Sequence, residues 1–115
     1  YEKDVEFDQA PFGVIGLETA LPVCLATLVR NDAAELTDLV RFLSTNPARI
    51  LKLDKGTLSP EADADVTVFD PDETWMVQPD GLESQSANSP WLGEKLRGRV
   101  THVTVAGRIV HSRDA

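Results

Sequence analysis

A few residues in this sequence are of types that could do chemistry. Pro11-Phe12-Gly13 is the most suggestive segment. A glycine lets a ligand touch the backbone, and its N–H can donate to a carbonyl or carboxylate oxygen. Phe12 would supply an apolar wall beside it. An ordinary turn leading into a helix has the same composition, and the residue types alone favour that plainer reading. Asp63, Asp65 and Asp70 carry hard oxygen atoms of the kind that bind calcium or magnesium. Their spacing matches no calcium loop, and the residues between them read as a strand, so they are expected at strand ends and turns. His102 and His111 are the two histidines. Zinc would need a third protein ligand, and neither Cys24 nor a matched carboxylate is well placed to be one. Cys24 falls on an apolar helix face without a nearby histidine, and Ser44, Ser84, Ser86 and Ser89 lack the strand–turn–helix context of a nucleophile. Trp75 and Trp91 read as packing residues, and no glycine motif cradles a phosphate. The residues alone therefore assign no catalytic group and no metal ligand to this chain.

Composition narrows the partners. The chain has 115 residues and 12.6 kDa, which suits one domain or less. Lys and Arg number 11 against 19 Asp and Glu, a net charge of −8. That balance argues against a nucleic-acid backbone and against an anionic membrane surface as partners. Apolar residues at 42% and charged residues at 26% are a globular rather than a disordered balance. No apolar run is long enough to span a bilayer. A single cysteine makes no internal disulfide, and a reducing cytoplasm fits it. Tyr1 is not a methionine and no leader pattern follows it. Together with the shortage of histidines, this leads to the expectation that the chain is a piece of something larger.

The elements that must position these groups are read from periodicity. Residues 1–13 form an irregular lead-in. Residues 16–30 are expected to be helical, with Leu17, Ala20, Leu21, Cys24, Leu25 and Leu28 on one apolar stripe. Pro22 either kinks this helix or marks a true start closer to itself. A second helix is expected from about Glu35 to Ser44, burying Leu36, Leu39, Val40 and Leu43, with Asp32 and Glu35 both candidates for its cap. Asn46-Pro47 is expected to open a short third helix as N-cap and first helical residue, with Ile50 and Leu51 facing inward and Gly56 ending the segment. Thereafter the pattern is β. Thr57-Leu58 reads as extended, Asp65–Asp70 as a strand, Thr74–Val77 as another, residues 78–98 as a long loop, and Val100–Val105 with Arg108–His111 as a hairpin turning at Ala106-Gly107. A hairpin and two short strands bury little alone, so strands from outside are expected to complete the sheet.

The order of these motifs resembles the C-terminal part of bacterial dihydroorotases, members of the cyclic amidohydrolases. Phe7-Asp8-Gln9-Ala10-Pro11-Phe12-Gly13-Val14-Ile15-Gly16-Leu17-Glu18-Thr19-Ala20-Leu21-Pro22 is similar to the stretch after the last metal-site motif of that family. Asn46-Pro47-Ala48-Arg49-Ile50-Leu51 is similar to a late Asn-Pro-Ala segment of many amidohydrolases. Ala64-Asp65-Val66-Thr67-Val68-Phe69-Asp70, Asn88-Ser89-Pro90-Trp91-Leu92-Gly93 and Gly98-Arg99-Val100 through Gly107-Arg108-Ile109-Val110 continue the pattern. Pro60-Glu61 and Trp91 are modest departures, where a glycine turn and a phenylalanine are frequent.

The resemblance implies an α/β fold: closing helices of a (β/α)8 amidohydrolase barrel, then the C-terminal strands of a small β-sandwich. It places residues 1–55 at the end of the barrel, as substrate loop and closing helices, and residues 56–115 in the sandwich, remote from the chemistry. It implies zinc in the intact parent, held by residues before Tyr1. There a metal-bound hydroxide opens the ring of dihydroorotate to carbamoyl-aspartate, reversibly, for pyrimidine synthesis. Carried over residue by residue, Phe12 and Gly13 would lie against the substrate ring and Pro11 and Ala10 would shape their loop. The polypeptide alone is expected to be inactive. Alternatives are another cyclic amidohydrolase, such as a hydantoinase or allantoinase, and a non-catalytic scaffold partner of aspartate transcarbamoylase.

Overall fold

The computed structural model describes residues 5–10 and 12–113. Helices come first and an antiparallel sheet follows. Helix α1 spans Ala20–Cys24 and widens into a π turn, Leu25–Val29, closed by the Arg30 amide on the Leu25 carbonyl at 2.9 Å. The start close to Pro22 resolves the proline problem. In the first turn the missing amide would have had no helical partner anyway, and Pro22 is buried there.

The next helix departs from expectation. Segments α2 (Leu36–Val40) and α3 (Asn46–Ile50) are joined through a second π turn, Arg41–Thr45, into one continuous rod. Glu35 is the cap: its backbone is extended, and its amide is held by the Asp38 carboxylate at 3.2 Å. Asp32 instead sits at positive φ in the turn after the first helix. Asn46 does not open a third helix. Thr45 and Asn46 both have helical dihedrals, and the Asn46 amide reaches back to the Arg41 carbonyl. The wider turn gives Pro47 room, because its ring would otherwise press on the carbonyl four residues back.

Strands β1 (Val66–Met76), β2 (Lys95–Val105) and β3 (Arg108–Ser112) form one antiparallel sheet in that order. The two short strands expected at 65–70 and 74–77 are one strand interrupted by a bulge. Asp70 pairs with Arg99 and Thr74 with Arg97, so Pro71, Asp72 and Glu73 stand opposite the single residue Gly98. Proline suits the bulge because it has no amide to give a ladder. The Asp70 carboxylate takes up the amides of Asp72 and Glu73 at 2.7 and 3.2 Å. The Arg30 guanidinium donates to the carbonyls of Pro71 and Arg97, tying the end of the first helix to the bulge. Residue 95, not 100, opens β2, which shortens the expected loop. Thr57-Leu58 joins no strand. The hairpin turns where expected, with Ala106 and Gly107 both at positive φ. That conformation is unusual for alanine, and the Asp65 carboxylate holds its amide at 2.7 Å.

The core is small and lies where α1 meets β2. Leu25, Leu39 and Val77 are its fully buried side chains along with Pro22. Trp75 is half-buried, its indole N–H on the Gly98 carbonyl at 3.0 Å and its ring under Arg99 at 5.2 Å. The helix stripes are buried less than periodicity implies. Leu39 is covered, but Leu36, Val40 and Leu43 are exposed, and Ile50 and Leu51 face solvent rather than inward. Leu17 is also exposed, since it precedes the helix. One three-stranded sheet within this chain does not have enough area to cover every helical face.

Candidate functional site

The lead-in builds the candidate site. A turn at residues 6–10 is closed by the amides of Gln9 and Ala10 on the Glu6 carbonyl, at 2.9 and 3.1 Å. Ala10 is half-buried; Pro11 lies outside the described residues. Phe12 is fully exposed. Gly13 has φ +98°, a conformation that side chains resist, and a Cβ added there would meet nothing within 4 Å. The Gly13 amide has no backbone partner among the described residues. An aromatic wall and an open backbone donor thus stand side by side at the surface.

Sequence reasoning missed what holds this loop. The segment 82–89, expected to be remote from it, packs against residues 13–19. The Asn88 side-chain amide donates to the Gly13 carbonyl at 2.8 Å, and the Ile15 amide donates to the Asn88 backbone carbonyl at 2.9 Å. Further on, the Glu18 carboxylate receives the Glu83 amide at 2.9 Å, the Ser84 amide at 3.2 Å and the Ser84 hydroxyl at 2.8 Å. Thr19 is buried and its hydroxyl donates to the Gly16 carbonyl. The only sequence signal for this clasp is Glu18, a charge in an apolar and small-residue stretch; Asn88 lies in the polar run 83–89 and does not stand out.

Partial desolvation raises the Glu18 pKa, but the three hydrogen bonds together outweigh it and hold the carboxyl below its usual value. A lowered folded pKa means that the clasp contributes in full above the ordinary carboxylate value of about 4.3. It is lost as pH falls through the lower folded value. Protection of the Glu83 and Ser84 amides, taken against their intrinsic exchange rates at each pH, is therefore expected to fall in acid in the native chain. In Glu18→Gln that acid step should disappear; an unchanged acid step would remove Glu18 as its cause.

The remaining candidates play other parts. Asp63 and Asp65 flank the Lys55 ammonium at 2.6 and 2.7 Å. These hydrogen bonds, from Asp63 first, raise the lysine pKa strongly. The Ala106 amide, then Lys55, lowers that of Asp65. Asp70 orders the bulge. His102 pairs with Ser112 and Val103 with His111, so the two imidazoles point to opposite faces of the sheet. Cys24 is a half-buried free thiol. The Ser86 and Ser89 hydroxyls accept the amides of Asn88 and Trp91 in local turns, and Ser84 serves Glu18. A groove of about 400 Å³ between α2 and the sheet is lined by Leu39, Val40, Leu43, Leu58, Phe69 and Val100 among others, and includes none of residues 12–18. Among the described residues no group of three His, Cys, Asp or Glu could hold a metal ion, so the zinc implied by the resemblance does not fit this set of side chains. No helix among them is long and apolar enough to cross a membrane.

Helices followed by this bulged antiparallel sheet have counterparts among known proteins. The chain belongs to the amidohydrolase family, which it matches over residues 11–110. It is 50% identical over 113 residues to a protein named dihydroorotase from Syntrophus aciditrophicus, and 51% identical over 113 residues to one of the same name from Anaeromyxobacter dehalogenans. In both cases the match covers 98% of this chain and 26% of the relative, so the chain spans about a quarter of the length of these curated relatives. Among solved structures it resembles an L-hydantoinase (dihydropyrimidinase) from Arthrobacter aurescens with TM-score 0.82 and 31% identity, over 91% of this chain and 24% of that one.

Proposed function

We propose that this chain is the C-terminal part of a dihydroorotase, which reversibly hydrolyses dihydroorotate to N-carbamoyl-aspartate in pyrimidine biosynthesis. Identity of about half the residues to proteins named dihydroorotase, along nearly the whole chain, carries this reading. Residues 1–55 close the catalytic barrel and supply the substrate loop; residues 56–115 contribute strands to a β-sandwich. Zinc, implied by the family, belongs to side chains outside the described set.

Within the reaction this chain binds and orients. The Gly13 N–H donates to an oxygen of the ring or its carboxylate, and the Phe12 ring covers one face and excludes water there. Ala10 and Pro11 shape the approach to that pair. What supports this role is the juxtaposition of an exposed aromatic ring at Phe12 with a Gly13 amide that has no backbone partner among the described residues.

The test is a substrate panel on the purified full-length protein: dihydroorotate, hydantoin, dihydrouracil and allantoin. The expected result is highest kcat/KM on dihydroorotate, abolished by chelation and restored by zinc. Preference for hydantoin or allantoin would move the chain to another cyclic amidohydrolase. Turnover of none of the four would favour a scaffold role beside aspartate transcarbamoylase.

A further inference from the structure

We infer that Asn88 is a positioning residue for substrate binding, acting through the backbone of residues 13–15. The inference rests on the substrate role of Gly13 proposed above and extends it to a residue 75 positions away.

Asn88 grips the loop at two points with two different groups. Its side-chain N–H fixes the Gly13 carbonyl, and its main-chain carbonyl fixes the Ile15 amide. The first bond sets the plane of the peptide that follows Gly13; the second fixes the chain two residues on. Together they fix the chain that leaves Gly13, the frame from which the Gly13 N–H projects across a φ of +98°. Gly13 has no side chain to pack, and a Cβ built there would meet nothing within 4 Å, so hydrogen bonds rather than packing hold the chain at this point. Asn88 is itself held, its amide donating to the Ser86 hydroxyl at 3.1 Å. The carboxylate of Glu18, gripping Glu83 and Ser84, anchors the same loop from its other end.

The experiment uses the full-length enzyme and compares wild type with Asn88→Ala and Asn88→Asp. Aspartate keeps the shape but presents an acceptor to the Gly13 carbonyl at neutral pH; protonated, it again offers a donor. The expected result is a KM for dihydroorotate raised about fivefold in Asn88→Ala and at least as much in Asn88→Asp, with kcat within about twofold of wild type, the pattern of lost ground-state orientation. Thr104→Val, which removes a hydroxyl bonded to Ala64 and Val66 across the sheet, is the stability control. A matching KM rise in that control, or KM within twofold of wild type in both Asn88 variants, overturns the inference. If the Asn88 variants do not fold, Ser86→Ala loosens the same residue more gently and should raise KM by about twofold; no rise overturns it as well. A wild-type enzyme inactive on dihydroorotate but active on another ring of the panel overturns the substrate reading alone, and the same KM comparison is then made on that ring.

Discussion

Gly98→Ala is expected to destabilise this chain strongly, by about 2–6 kcal/mol in urea unfolding. Two costs add. Gly98 has φ +112°, where any side chain is strained by about 1–3 kcal/mol. A Cβ there would also come within 2.4 Å of Leu25 Cδ1, and Leu25 is 2% exposed, so it has nowhere to go. Overpacking of a filled site costs a further 1–3 kcal/mol or so. The position cannot relax by moving the strand, because Gly98 stands opposite the bulge and its carbonyl carries the Trp75 indole. Tryptophan fluorescence should therefore report the loss directly. The double variant Gly98→Ala/Leu25→Ala should be less destabilised than the two single effects added, since the first substitution fills part of the space the second empties. A loss below about 0.5 kcal/mol in Gly98→Ala, well short of the strain cost alone, would mean that α1 does not pack on β2 as described.

Gly13→Val should do the reverse, sparing stability and removing binding. No atom lies within 4 Å of a Cβ at residue 13, so no clash within the chain opposes it. Valine cannot rest at φ +98°, and the loop must rotate, swinging the Gly13 N–H away and the new methyl groups into the space beside Phe12. In the full-length enzyme kcat/KM for dihydroorotate is expected to fall roughly 30- to 100-fold, from one hydrogen bond to a charged or strongly polar acceptor plus steric block. Unchanged kinetics in a well-folded variant would remove Gly13 from the substrate site. The two glycines share a positive φ and differ only in surroundings, which is why the expected effects fall on different properties.

Much of the order of this molecule was legible from local pattern. Helices preceding strands, a hairpin turning at Ala106-Gly107, a glycine loop beside Phe12, and aspartates at turns all follow from spacing and residue type acting over a few positions. The errors have physical sources. Asn46-Pro47 carries the composition of a helix start, but a π turn absorbs the same proline inside a continuing helix, and nothing in the residue types separates the two. Pro71 reads as the end of a strand, whereas a bulge opposite Gly98 lets β1 run through it. Ile50 and Leu51 have the spacing of a buried face, yet burial depends on whether another surface is present to cover them.

What the residues alone established is therefore local: which segments coil, which extend, and where the chain turns. The folded chain alone decided which distant groups meet. The bond between Asn88 and Gly13 spans 75 residues, and Glu18 grips a loop 65 residues on. A polar contact between two irregular segments has no period and no turn chemistry to announce it. Its partners become neighbours only after α1 has packed on β2 and the ends of the intervening loop have been brought together at Val77 and Gly93, whose backbones bond at 2.9 Å.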